Sequence, residues 1–173
     1  MDITEQTLTS HPFLFGLASE HIAMVCREAT LQRFGVGDLI FQERHDADHL
    51  YLLHRGSVAL EGFLPGQGVV TLQTLSAGDA LGWSWLFPPY HWQFSARSLD
   101  ATEVVAIRAV VLRDYAVEHP DFGTELLSRM VQVLLTRLKA TRVKLQELRD
   151  PGLTSLMEGV LTAQAENEPE QAF

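Results

Sequence analysis

Residues 34–60, FGVGDLIFQERHDADHLYLLHRGSVAL, decide the architecture of the chain. Three short apolar runs, LIF, LYLL and VAL, are rich in aliphatic and aromatic residues. Gly35, Gly37 and Gly56 and the polar stretch HDADH at 45–49 separate them. Runs of this length between turn signals read as β-strands rather than helices. The same texture continues through GVVTLQTLSAGDALG (68–82). In SARSLDATEVVAIRAVVL (95–112) it predicts another strand or two, with VVAI as a buried run. Strands recurring every ~8–12 residues point to a sandwich or barrel.

The period changes on both sides of this β body. Upstream, HPFLFGLASEHIAMVCREATLQRF (11–34) reads as one or two helices, with Leu17, His21, Met24 and Val25 at helical spacing and Ser19 as an N-cap. Downstream, residues 121–149 contain Gly123 as their only glycine and no proline. Pro120 and Asp121 suit a first helical turn, and Asp150, Pro151 and Gly152 suit its end. Leu127, Val131, Leu134, Leu138, Thr141, Leu145 and Leu148 follow one another at alternating steps of four and three, an a/d seam interrupted only by Thr141. A second stripe, Leu126, Met130 and Val133, supplies a face for the body. Two faces imply two partners, so the seam predicts a homodimer through this helix. Residues 150–173 are expected to form a short amphipathic helix and an acidic tail.

Composition narrows the function. With 173 residues, 46% of them hydrophobic, the chain suits one globular domain with an extension. No apolar run reaches the ~20 residues of a membrane helix, and the start lacks the pattern of a secretion signal, so a cytoplasmic protein with no membrane partner is expected. The lone cysteine, Cys26, excludes an internal disulfide and reads as a small core residue. A net charge of −9 argues against coating nucleic acid. Residues 121–149 carry six basic and three acidic residues, so the acidity lies elsewhere.

No motif of hydrolases, P-loop proteins, dinucleotide-binding enzymes or zincins is present, so no enzyme is expected. His45 and His49 in HDADH have no third metal ligand nearby in sequence and read as a polar turn. In GDALG (78–82), backbone N–H groups could cradle a phosphate. The following GWSWLFPPYHWQF (82–94) holds Trp83, Trp85 and Trp92, all three tryptophans of the chain. If both halves of that stretch are extended, one face is aromatic and the other carries Ser84, His91, Gln93 and Ser95. If the first half coils, Trp83 and Trp85 diverge, one packing inward and one capping a cavity.

HPFLFGL, FGVGDLIFQERHDADHLYLLHRGSVAL, LSAGDALGW, EVVAI and the terminal helix, in this order, resemble the cyclic nucleotide-binding domain of the CRP/FNR superfamily over about residues 11–149. The resemblance implies a mainly β fold with flanking helices. It would consist of an antiparallel β-roll (a double-stranded, jelly-roll-like β-helix), N-terminal helices and a long C-terminal dimerisation helix. It divides the chain into residues 1–120 (helices and roll), 121–149 (dimerisation helix) and 150–173. The family's phosphate cassette pairs a Gly-Glu with an Arg-Ser or Arg-Thr about ten residues on, the Glu accepting the ribose hydroxyl and the Arg neutralising the cyclic phosphate. Here Gly82 keeps the glycine, Trp83 stands at the Glu position, and Trp92 and Gln93 stand where the Arg and its neighbour belong. Indole carries one donor, no acceptor and no charge, so neither tryptophan can replace those contacts. Thr141 matches the base-contacting Thr of the dimer helix and is followed by Arg142.

The expected ligand-binding set is therefore Gly82, Trp83, Ser84, Trp92, Gln93, Arg97, Thr141 and Arg142, with Arg97, Arg142 or His91 as the substitute cation. The expected ligand is a cyclic nucleotide or another small molecule, and no cofactor is certain. The resemblance implies a regulatory sensor, with a protein partner possible. The alternatives are a degenerate, non-binding dimeric interaction module and a haem or gas sensor. The 21 residues after Gly152 are too few and too acidic for the superfamily's helix-turn-helix, so DNA binding is not expected.

Overall fold

A computed structural model describes residues 8–149, apart from the side chains of Leu148 and Arg149; the helix and tail expected over 150–173 lie outside the described residues. Two four-stranded antiparallel sheets pack face to face with helices packed against both of them, so the β-roll read from the sequence is the fold. One sheet has the order β1 (Ala29–Phe34), β8 (Thr102–Arg108), β3 (His49–Arg55), β6 (Ala80–Leu81). The other has the order β2 (Leu39–Phe41), β7 (Ser95–Ser98), β4 (Ser57–Leu64), β5 (Gly68–Ser76).

The two sheets differ in pattern because they differ in what covers them. In β3, Leu50, Tyr51, Leu52 and Leu53 are all buried, and in β8 Val104, Val105, Ala106 and Ile107 are too. These strands pair in register, Leu52 opposite Val105, and both of their faces are covered, which is why LYLL and VVAI are unbroken apolar runs. β5, by contrast, is an edge strand of the outer sheet with only Leu75 fully buried. Gly56, between β3 and β4, has φ +91°, and a Cβ there would lie 2.6 Å from Asp100 Oδ1, so only glycine makes this turn. Asp100 accepts the backbone N–H and the hydroxyl of Ser57 at 2.9 and 2.7 Å, bonds that hold its carboxyl below the usual range.

Three helices complete the described chain. α1 (Ser19–Glu28) buries His21, Ile22, Met24 and Val25. Its cap is Ala18, with no side-chain bond, so Ser19 is the first helical residue and not the N-cap. α2 (Ala109–Glu118) corrects the reading of AVVL as strand: the chain turns at Arg108, Ala109 N–H donates to Asp48 O at 2.8 Å, and Ala109 and Leu112 bury one helical face. Docking on the sheet overrides the weak helix preference of Val110 and Val111. α3 (Pro120–Arg149) is about 45 Å long at 1.5 Å per residue. Phe122, Leu126 and Met130 are buried against the body with Val133 partly so, as the second stripe predicts. Leu127, Val131, Leu138 and Leu145 of the seam are exposed, and Leu134 is half-buried. No described helix is long and apolar enough to cross a membrane.

Candidate ligand site between the roll and the long helix

β6 delivers the chain to Gly82, which has φ +74°. A Cβ at Gly82 would lie 2.2 Å from Cζ3 of Trp92, so here the missing side chain admits an indole. Trp92 is 3% exposed. Its ring stacks on Phe41 with centroids 3.9 Å apart and an interplanar angle of 14°, and Tyr51 lies beyond at 6.1 Å. Its backbone is pinned by bonds to His45 O and from Arg44 N–H, both 2.9 Å. The Tyr51 hydroxyl beside it is pushed up to about 12 by burial and then by Asp48, so it stays protonated. Only about 10 Å³ remains free between Gly82, Trp92, Phe41 and Arg137, about the room of one water molecule.

The chain coils rather than extends after Gly82: Leu86 N–H donates to Trp83 O at 3.0 Å, and residues 84–86 form a turn. Trp83 and Trp85 therefore diverge. Trp85 is wholly buried in the core. Ser84, also buried, accepts the Gln93 N–H at 3.3 Å and ties the two halves of the aromatic stretch together. Trp83 is half-buried and forms a wall of a second space, a cavity of about 200 Å³ between roll and helix. Leu60, Leu72, Gln73 and Phe94 line it from the roll, and Leu134, Arg137, Leu138 and Thr141 from α3.

Arg137 is the functional candidate that sequence reading missed. It continues the body-facing stripe one turn beyond Val133, a place that predicts burial, yet an arginine on a long helix passes for part of its solvated face. The residue is 9% exposed. Nη2 donates to Ala80 O at 2.8 Å, whereas Nη1 is buried with no acceptor. Burial lowers its pKa, opposed by the charge of Asp79. Arg137 also lines a third cavity, of about 380 Å³, bounded by Pro12, Phe13, Asp79 and Arg129.

The expected set thus divides. Gly82, Trp83, Ser84, Trp92 and Gln93 surround the closed gap, and Trp83 and Thr141 reach the open cavity. Thr141 Oγ1 donates to Arg137 O at 2.9 Å. Arg97 is elsewhere: its Nε faces both oxygens of Glu61 at 3.0 and 3.1 Å and its Nη1 donates to Gly37 O at 2.8 Å, so it braces the outer sheet. Arg142 is exposed on α3 and is not among the residues lining these cavities. His91 faces Asp46 at 3.3 Å on the surface. The turn expected at HDADH falls one step earlier, at 43–45; Asp46 forms a β-bridge with His91, and His49, the first residue of β3, bonds Asp48 at 2.8 Å. Among the described residues the one group close enough to share a metal is Glu20, His21 and Asp121, outside both HDADH and the cavities.

A cyclic nucleotide-binding domain model matches residues 31–119, half of the chain, from β1 through α2. No sequence among the curated proteins matches. Among solved structures, a Geobacter metallireducens GS-15 protein named for cyclic nucleotide binding is 29% identical, with TM-score 0.70 over 79% of this chain and 98% of its own. A cyclic nucleotide-binding domain from Methylobacillus flagellatus KT is 19% identical, with TM-score 0.71 over 81% of each chain. The c-di-GMP-responsive regulator CLP of Xanthomonas campestris is 18% identical, with TM-score 0.69 over 90% of this chain and 76% of its own. The last two share the fold. With two antiparallel sheets folded into a β-roll and a family match running across both of them, this chain belongs to the cyclic nucleotide-binding domain family.

Proposed function

We propose that the protein is a cytoplasmic, dimeric regulatory sensor that takes a small molecule other than a conventionally bound cyclic nucleotide. The observation that carries this reading is the cavity of about 200 Å³ that Trp83 of the roll shares with Arg137 and Thr141 of α3. A ligand seated there touches both elements. It therefore has the differential contact needed to bias how α3 pairs with a second copy, and through that pairing the engagement of a protein partner. The filled gap at Gly82 argues against the usual mode, because a cyclic phosphate would have to displace Trp92 from its stack on Phe41.

A thermal-unfolding screen of the full chain against cyclic mono- and dinucleotides and small organic acids tests the reading. A ligand that binds only the folded state at a hundred times its Kd adds about 2.7 kcal/mol, a rise of several degrees for a domain of this size. A saturable rise with any compound supports sensing. No rise with any of them favours the second reading, a degenerate dimeric interaction module, which the closed gap around Trp92 supports.

A further inference from the structure

We propose that the ligand of this cavity is a small, planar, apolar acid, its ring lying against Trp83 and its carboxylate held by Arg137; this rests on the sensor reading above. Three buried side-chain N–H groups among the described residues lack an acceptor, on Trp85, Arg129 and Arg137. Of these residues only Arg137 lines the cavity. A buried cation with an unmade hydrogen bond and no carboxylate on it is costly, and an incoming anion removes that cost. Arg137 is also the only charged residue among those lining the cavity, the nearest opposing charge being that of Asp79 in the neighbouring cavity. With Nη2 donating to Ala80 O, Nη1 is the guanidinium nitrogen buried without an acceptor, which suits one carboxylate oxygen.

The remaining walls choose the rest of the ligand. Trp83, Phe94, Leu134 and Leu138 favour a flat apolar body. A dry apolar cavity of about 150 Å³ holds benzene, so about 200 Å³ accommodates an aromatic ring system with a short acid group. Trp83, Leu60, Phe94 and Arg137 are common to this cavity and the closed gap.

Calorimetric titration of the full-length chain with 2-naphthoate, the isosteric 2-naphthamide and cAMP tests this. The expected result is that the acid binds once per chain and at least tenfold tighter than the amide. Arg137→Met should abolish that preference and Arg137→Lys should restore part of it. The comparison of acid with amide needs only the wild-type protein, so it stands even if Arg137→Met fails to fold. Equal affinity for acid and amide overturns the anion anchor, as does an unchanged preference in a folded Arg137→Met. Binding of cAMP without binding of 2-naphthoate overturns this inference and the exclusion of a nucleotide, leaving only the sensing role, whereas binding of none of the three counts against both.

Discussion

Gly82 shows how one residue type can be kept while its use changes. A glycine at such a position can let a phosphate approach the backbone; here the space above it is taken by Trp92 Cζ3. Gly82→Ala combines a left-handed φ with a clash against a ring already wedged on Phe41. It is expected to lower stability by roughly 2–4 kcal/mol, read as a drop in the urea midpoint at unchanged m. His11 makes a second residue-scale prediction. It is buried, its Nδ1 accepts the Phe13 N–H at 3.2 Å, and its Nε2 then donates to Leu53 O at 3.3 Å, a pattern that only the neutral ring satisfies. Burial lowers its pKa from 6.5, with the Leu53 carbonyl opposing. Below about pH 6.5 the unfolded chain therefore binds a proton that the folded chain does not, and stability falls as pH falls toward the folded value. Denaturant titrations between pH 7.5 and 5 should show this slope flattened in His11→Asn; an identical slope would show that His11 does not drive it.

At the scale of elements, α3 is the part whose two faces the structure separates. Leu138 is 67% and Leu145 62% exposed in the single chain, so changing them leaves its core intact. Leu138→Glu with Leu145→Glu is expected to turn a dimer into a folded monomer in sedimentation velocity with unaltered circular dichroism. A wild type that sediments as a monomer would refute the paired seam. The same scale shows what the sequence could reveal. β3, β8 and the Leu126–Met130–Val133 stripe were legible because their burial follows one geometric period. α2 was not, because Val110 and Val111 favour strands locally and only docking of Ala109 and Leu112 makes them helical. The site was half legible. The position of the aromatic stretch could be read, but the turn at 84–86 breaks the two-residue alternation, so which tryptophan fills and which fronts a cavity depends on the coil. Arg137 was hidden because charge on a helix usually signals solvent.

The whole molecule has the fold of a cyclic nucleotide-binding domain in which Trp92 fills the space above Gly82 and an open cavity lies between roll and helix. The position of that space would matter to the proposed sensor, since Leu134 and Leu138 line the cavity and also belong to the apolar seam. A ligand there and a second copy of the chain would compete for, or share, the same side chains, which couples occupancy to pairing without any further device. Calorimetric titration of the full-length protein with cAMP tests the plugged position most directly. No saturable heat up to high micromolar nucleotide is the predicted result; saturable binding of one cAMP per chain would mean that Trp92 yields its place and that the gap at Gly82 is not closed to the nucleotide.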